Sequence, residues 1–261
     1  MDIDEPALFL SLLADTACKA IMPHFRASLA IDDKGGGRFD PVTVADRAAE
    51  QAMRALINAT YPAHGIIGEE FGNERAEAEY VWVLDPIDGT RSFITGLPIW
   101  GTLIGLLKNG RPVLGMMAQP FTGERYAGDG KRAWYAGPGG ERPLTTRACP
   151  TLDEASLFTT TPALFKGRER AAYDNVEAAV RMPRYGTDCY GYCMVAAGTA
   201  DLVVEVGLQT YDVAALIPIV EGAGGRFTDW EGGPATRGGR VIASGDPKLH
   251  EKVLALLAAA Q

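Results

Sequence analysis

The chain has 261 residues, 47% of them hydrophobic and 22% charged, which is ordinary for a globular protein with a sizeable core, built as one large domain or two closely packed halves. A net charge of −8 speaks against a general nucleic-acid or anionic-membrane surface, because phosphate backbones reward basic patches. It leaves room for a small phosphorylated molecule, since a bound cation reverses the sign of a local site.

The first residues, Met1-Asp2-Ile3-Asp4-Glu5, lack the basic start of a signal peptide, and no apolar run approaches membrane-spanning length. Cys18, Cys149, Cys189 and Cys193 are too sparse for a disulfide framework and read as buried thiols, so a cytoplasmic enzyme is expected. Apolar residues at helical spacing over 6–27 predict a first helix, kinked or ended by Pro23. Asp32 to Gly37 is a flexible loop by composition; its Lys34 is either a solvated lysine or part of a lid. A second helix follows to about Ala59, with Thr43 or Asp46 as its cap. Gly65 to Gly68 predicts a short buried strand ending in Glu69 and Glu70, either site acids or a charged surface turn.

Val81 to Leu84 predicts another buried strand, stopping at Asp85 because Pro86 cannot donate to a ladder. Asp85 and Asp88 flank Ile87; Gly89 lets the backbone turn, and Thr90, Arg91 and Ser92 offer donors for an anion. Paired carboxylates beside phosphate-friendly donors call for a cation between them, and oxygen-only ligands favour Mg2+.

Asn109-Gly110 between two apolar runs predicts an antiparallel hairpin, with further strands near Arg125 to Ala127 and Ala133 to Tyr135. The first half, 1–140, thus reads as two helices on a largely antiparallel sheet, with Gly137 to Gly140 marking the transition to a second half, 141–261. There the pattern predicts strands at Ser156 to Thr159, Asp201 to Val206, Gly224 to Asp229 and Arg240 to Ala243. Helices are predicted over Leu164 to Val180, Cys189 to Ala197, Tyr211 to Gly225 with Pro218 as a kink, and Pro247 to Ala260.

Gly68-Glu69-Glu70, Asp85-Pro86-Ile87-Asp88-Gly89-Thr90, and Tyr211-Asp212-Val213-Ala214-Ala215 with Gly222-Ala223-Gly224-Gly225 together resemble the inositol monophosphatase superfamily, in order and spacing over nearly the whole chain. The resemblance implies an α/β (α+β) fold, a layered α-β-α-β-α sandwich, and Mg2+-dependent phosphomonoester hydrolysis with two to three ions per site. It implies that Glu69, Asp85 and the Ile87 carbonyl hold one ion, and that Asp85, Asp88 and Asp212 hold a second. Asp46 would assist a third through water, although on sequence alone it reads better as a helix cap. Glu69 with Thr90 would activate water, the amides of Gly89 and Thr90 would hold the phosphate, and Lys34 would belong to the mobile loop. A homodimer is implied as well.

Arg184-Tyr185-Gly186-Thr187-Asp188-Cys189-Tyr190-Gly191-Tyr192, with Glu205 and Tyr211, looks most like the histidinol-phosphate phosphatase branch. Acids at Asp188 and Glu205 suit a cationic head group, with Arg184 and Arg91 as further substrate contacts. The plain alternatives are a helix cap for Asp188 and a surface ion pair for Arg184. Inositol or sugar phosphates are the competing substrates. A non-catalytic RNA-associated protein of the same fold is the rival from another class, and the complete set of acids and the acidic chain speak against it.

Overall fold

The computed structural model describes residues 4–27, 31–33 and 41–259. The opening apolar pattern forms α1 (Asp4–Ile21), which stops just before Pro23, a residue with no amide to continue the ladder. Strands β1 (Ile31–Asp33) and β2 (Pro41–Thr43) pair antiparallel. The loop between them, with Lys34, lies outside the described residues. Helix α2 (Val44–Thr60) starts with a reciprocal cap: the Thr43 hydroxyl accepts the Ala45 amide, while the Asp46 carboxylate accepts the Thr43 amide at 2.9 Å.

Then come β3 (Gly65–Gly68), β4 (Gly72–Glu74), β5 (Tyr80–Asp88), α3 (Thr90–Ile94), β6 (Gly101–Lys108), β7 (Arg111–Gln119), β8 (Glu124–Gly128), β9 (Ala133–Gly137) and β10 (Gly140–Pro143). Among the described residues these strands form an eight-stranded sheet in the order β10-β9-β8-β7-β6-β5-β3-β4, antiparallel except for the parallel β3–β5 pair. Asn109 and Gly110 both take positive φ, as a two-residue hairpin turn between right-twisted strands requires. Gly137 to Gly140 turns the chain between β9 and β10. Helices α1 and α2 cover one face of this sheet, burying Leu10, Leu13, Met53 and Ile57 against Trp82, Leu84 and Ile104.

The second half supplies β11 (Ser156–Thr159), α4 (Gly167–Ala179), β12 (Met182–Tyr185), α5 (Asp188–Ala196), β13 (Leu202–Leu208), α6 (Thr210–Val213), α7 (Leu216–Gly222), β14 (Arg226–Asp229), β15 (Gly239–Ser244) and α8 (Pro247–Ala258). Its sheet runs β12-β11-β13-β15-β14, with β11 parallel to both its neighbours. Helices α5 and α7 fill the space between the two sheets, and α4 and α8 close the far side. The layers therefore run α-β-α-β-α, as expected. The helix expected over 211–225 is instead two helices broken at Ala214 and Ala215. That break falls four and three residues before Pro218, which has no amide to donate to the Ala214 carbonyl and whose ring crowds it, so the distortion expected at Pro218 is a full break.

One packing feature seats this broken segment on the sheet. Gly105, Gly115 and Gly128 are cross-strand partners on β6, β7 and β8 and make a bare row across the sheet. A Cβ on Gly115 would lie 2.0 Å from the Ala215 carbonyl oxygen, one on Gly128 2.3 Å from that of Pro218, and one on Gly105 3.0 Å from the Ala214 carbonyl carbon. The backbone joining α6 to α7 therefore rests directly on sheet backbone, a closeness only glycine permits. This contact brings the α6 acid, Asp212, to the end of β5.

Candidate active site

In an unbroken strand Asp85 and Asp88 would point to opposite faces, because side chains alternate and the two are three positions apart. The strand does not stop at Asp85 as expected. It runs on to Asp88 through a bulge, in which Asp85 faces Leu103 while Asp88 faces Gly101 on β6. The extra residue reverses the alternation and turns both acids to one side. Pro86 sits within this bulge, where no ladder amide is needed, and its carbonyl accepts the buried Thr102 hydroxyl at 2.8 Å. Gly89, at φ +84°, then turns the chain into α3.

Asp212 reaches the same point from the second half, with one carboxylate oxygen tied to the Gln209 amide at 2.6 Å. Asp85, Asp88 and Asp212 each offer an oxygen, and these atoms lie within 4.8 Å of one another. Glu69, whose amide donates to the Leu84 carbonyl at 3.2 Å, brings its carboxylate against Asp85, close enough to hydrogen-bond. Asp46 is buried, its proton affinity raised by burial and by Glu69, against the pull of its bonds from Thr43. It both caps α2 and faces the acid group.

Burial raises Asp85 well above the usual carboxylate range, and repulsion from Glu69, Asp88 and Asp212 adds to it. Asp212 is likewise raised, by burial and then by Asp88. Asp88 is pushed up to about 7 by burial and by Asp188, against the 2.6 Å bond it accepts from the Cys189 amide. Among the described residues, Asp85 Oδ1 is buried with no hydrogen-bond partner. Mutually repelling carboxylates, an orphaned buried oxygen and an all-oxygen donor set fit a hard divalent cation. The Ile87 carbonyl accepts the Thr90 hydroxyl at 3.0 Å, so Thr90 is tied to the same bulge.

Beside this group lies a cleft of about 360 Å3, lined by Gly89, Thr90, Arg91, Ser92, Thr160, Thr161, Gly186 and Asp188. Asp188 opens α5 with φ +43°, a left-handed conformation that Asp tolerates better than most side chains. Its carboxylate accepts the hydroxyls of Ser92 and Thr160, each at 3.3 Å. Glu205 is buried behind it and accepts the Thr160 amide at 2.6 Å and hydroxyl at 2.9 Å. Burial pushes Glu205 up to about 8, with Asp188 repelling it and the threonine bonds working the other way. Both acids thus compete for the single Thr160 hydroxyl proton. Burial raises Asp188 above the usual carboxylate range, against the pull of its bonds from Ser92 and Thr160 and of the Arg91 charge on α3, whereas Arg184 lies exposed on the edge strand β12 and is not part of the cleft lining among the described residues.

Ser92, Thr159 and Thr160 were not singled out as partners of the two acids by sequence reasoning. Thr159 and Thr160 close a strand in an ordinary polar stretch, and nothing local signals that they face acids about 30 and 45 positions away.

A layered fold that gathers carboxylates at a strand bulge, next to a hydroxyl-lined cleft, is the arrangement of a cation-assisted phosphatase. The family model for the inositol monophosphatase family matches residues 3–261. The chain is 44% identical to the bifunctional phosphatase IMPL2, chloroplastic, of Arabidopsis thaliana, over 97% of this chain and 75% of that protein. It is 36% identical to a histidinol-phosphatase of Mycobacterium tuberculosis, over 98% of this chain and 99% of that one. Among solved structures, an inositol monophosphatase from Zymomonas mobilis superposes with a TM-score of 0.89 at 44% identity, covering 99% of both chains. The chain belongs to the inositol monophosphatase family. It is a phosphoric monoester hydrolase acting on small phosphomonoesters.

Proposed function

We propose that the protein is a Mg2+-dependent histidinol-phosphatase, releasing phosphate from L-histidinol phosphate in histidine biosynthesis. The observation that carries the choice of substrate is the pair Asp188 and Glu205. Beyond the bonds they accept from Ser92, Thr159 and Thr160, two neighbouring acids retain acceptor capacity that suits a substrate bearing an amine and an imidazole better than a neutral polyol. An inositol or sugar phosphate is the competing substrate, since a hydroxyl can also donate to Glu205.

In this reading Glu69, Asp85, the Ile87 carbonyl, Asp88 and Asp212 hold two Mg2+ ions, with Asp46 assisting a third through water. When bound, Mg2+ supplies charge neutralisation at the phosphoryl oxygens and the leaving alkoxide and makes water a better nucleophile. Glu69 and Thr90 orient the attacking water, and Glu69 takes its proton. The amides of Gly89 and Thr90 hold the phosphate in the cleft they line, with Arg91 at its rim. Because Asp212 comes from one half and Asp85 from the other, the halves 1–140 and 141–261 work as one unit. The same reading includes a homodimer, a cytoplasmic location, and no nucleic-acid or membrane partner. The net charge of −8 supports the last point, and among the described residues no helix is long and apolar enough to cross a membrane.

The test is phosphate release from histidinol phosphate and from inositol 1-phosphate, with Mg2+ and with chelator. Release from histidinol phosphate should exceed release from inositol 1-phosphate by about two orders of magnitude and vanish with chelator. Comparable or reversed rates would discard the substrate assignment, and unchanged turnover in chelator would discard the cation.

A further inference from the structure

The turn that carries Glu69 is held by a residue that the family motifs quoted above do not include. Strands β3 and β4 pair with Gly68 opposite Gly72, so Glu69, Glu70 and Phe71 form the hairpin tip. Their three successive amides each donate outside the hairpin. The Glu69 amide donates to the Leu84 carbonyl, the residue before Asp85. The next two donate to one carboxylate on α2: Glu70 to Glu50 Oε2 at 2.8 Å and Phe71 to Glu50 Oε1 at 3.1 Å. Arg54, one helical turn further on, donates through Nε to Glu50 Oε1 at 2.7 Å and caps the far side of the turn at the Gly72 carbonyl. Helix α2 thus presents Asp46, Glu50 and Arg54 at intervals of four, along one face, against the site hairpin.

Two features separate this from an ordinary loop staple. The tip is at the surface, with Phe71 half exposed, yet two of its amides are served by a wholly buried carboxylate, and burying such a group carries a desolvation cost. Gly68 is also needed to let it approach, since a Cβ there would lie 2.0 Å from Glu50 Oε1 and 2.6 Å from the Arg54 guanidinium.

We infer that Glu50 is a positioning residue for Glu69: with Leu84 it fixes the backbone on both sides of Glu69 and so sets where the Glu69 carboxylate meets Asp85. The inference rests on the proposed reading of Glu69 as a cation ligand. It predicts that Glu50 governs cation affinity without touching a cation or the substrate, in the way that outer-shell partners of metal ligands do.

The experiment measures Mg2+ binding to metal-free protein by titration calorimetry, and kcat and KM for a phosphomonoester, for wild type, Glu50→Gln and Glu69→Gln. All are read at a temperature where circular dichroism shows each chain folded. Glu50→Gln keeps the size of the side chain but removes one acceptor and the charge that Arg54 answers. It should weaken Mg2+ binding tenfold or more and lower kcat, with KM within about twofold of wild type. A smaller loss of Mg2+ affinity, with only the melting temperature lowered, would make Glu50 a fold staple and overturn the inference. Glu69→Gln that binds Mg2+ as wild type does would instead strike the cation reading itself, and the inference with it. Should Glu50→Gln not fold, Arg54→Lys takes its place. It loosens the same turn from outside; about a threefold loss of Mg2+ affinity is then expected, and wild-type affinity refutes.

Discussion

Replacing Asp88 by Asn should make the metal-free protein more stable while destroying its activity. In the folded chain Asp88 is held near a pKa of about 7, against an ordinary value of 3.8, by burial first and by Asp188 next. At about 1.4 kcal/mol per tenfold change in proton affinity, the ceiling on the cost of keeping it ionised is roughly 4 kcal/mol. Asp88 as a residue is partly exposed, so solvent screening brings the expected effect to about 2 kcal/mol. Asn preserves the acceptor for the Cys189 amide, which donates to Asp88 at 2.6 Å, so the change removes charge and little else.

The sign follows from linkage. The folded state holds this proton more tightly than the unfolded chain, so wild-type stability is full below about pH 4 and falls as pH rises through about 7. Urea unfolding in EDTA should therefore show Asp88→Asn ahead by about 2 kcal/mol at pH 8 and level with wild type near pH 4. Mg2+ at a hundredfold excess over its Kd should add about 2.7 kcal/mol to wild type and much less to the variant, reversing the order. A variant less stable than wild type at pH 8 in EDTA, or an advantage that does not shrink at low pH, would refute the electrostatic account.

Asp85→Asn should lower Mg2+-dependent phosphate release at least a hundredfold while circular dichroism remains that of the wild type; retained activity would remove Asp85 from the cation site. Asp188→Asn and Glu205→Gln should each raise KM for histidinol phosphate about tenfold, with a smaller effect on inositol 1-phosphate, and steady-state kinetics on both substrates decides it. Gly115→Ala should cost about 2 to 4 kcal/mol in urea unfolding, because its Cβ would meet the Ala215 carbonyl at 2.0 Å; a loss below 0.5 kcal/mol would mean that the helix backbone can lift off the sheet freely.

Local chemistry was readable wherever one short stretch determines the conformation. Asn109-Gly110 specifies its own turn, Ser156 to Thr159 is a strand with the bounds expected, and Pro247 starts α8 behind the Asp246 cap. The acids of the site were legible because their spacing and motif are distinctive. What failed depends on partners distant in sequence. Pro86 looked like a strand end because a bulge exists only in relation to the opposing strand, β6. The break at Ala214 and Ala215 was readable only as a kink from Pro218; that this segment is seated on sheet backbone was not, since the glycine row lies some 100 positions earlier. Edge strands β4 and β12 are short and weakly apolar and pair on one side only, so periodicity gave them no signal. Glu50 looked like any polar residue on a helix, and only the fold reveals which amides it serves.

The helix seated on bare strand backbone also bears on what kind of movement the protein can use. Main chain against main chain has no side-chain cushion to slide on, so the Asp212 arm is clamped to the platform that carries Asp85. The layers that carry Asp85 and Asp212 are thereby expected to move as one body. The spacing of the carboxylate oxygens of Asp85 and Asp212 is therefore set by backbone packing before any ligand arrives.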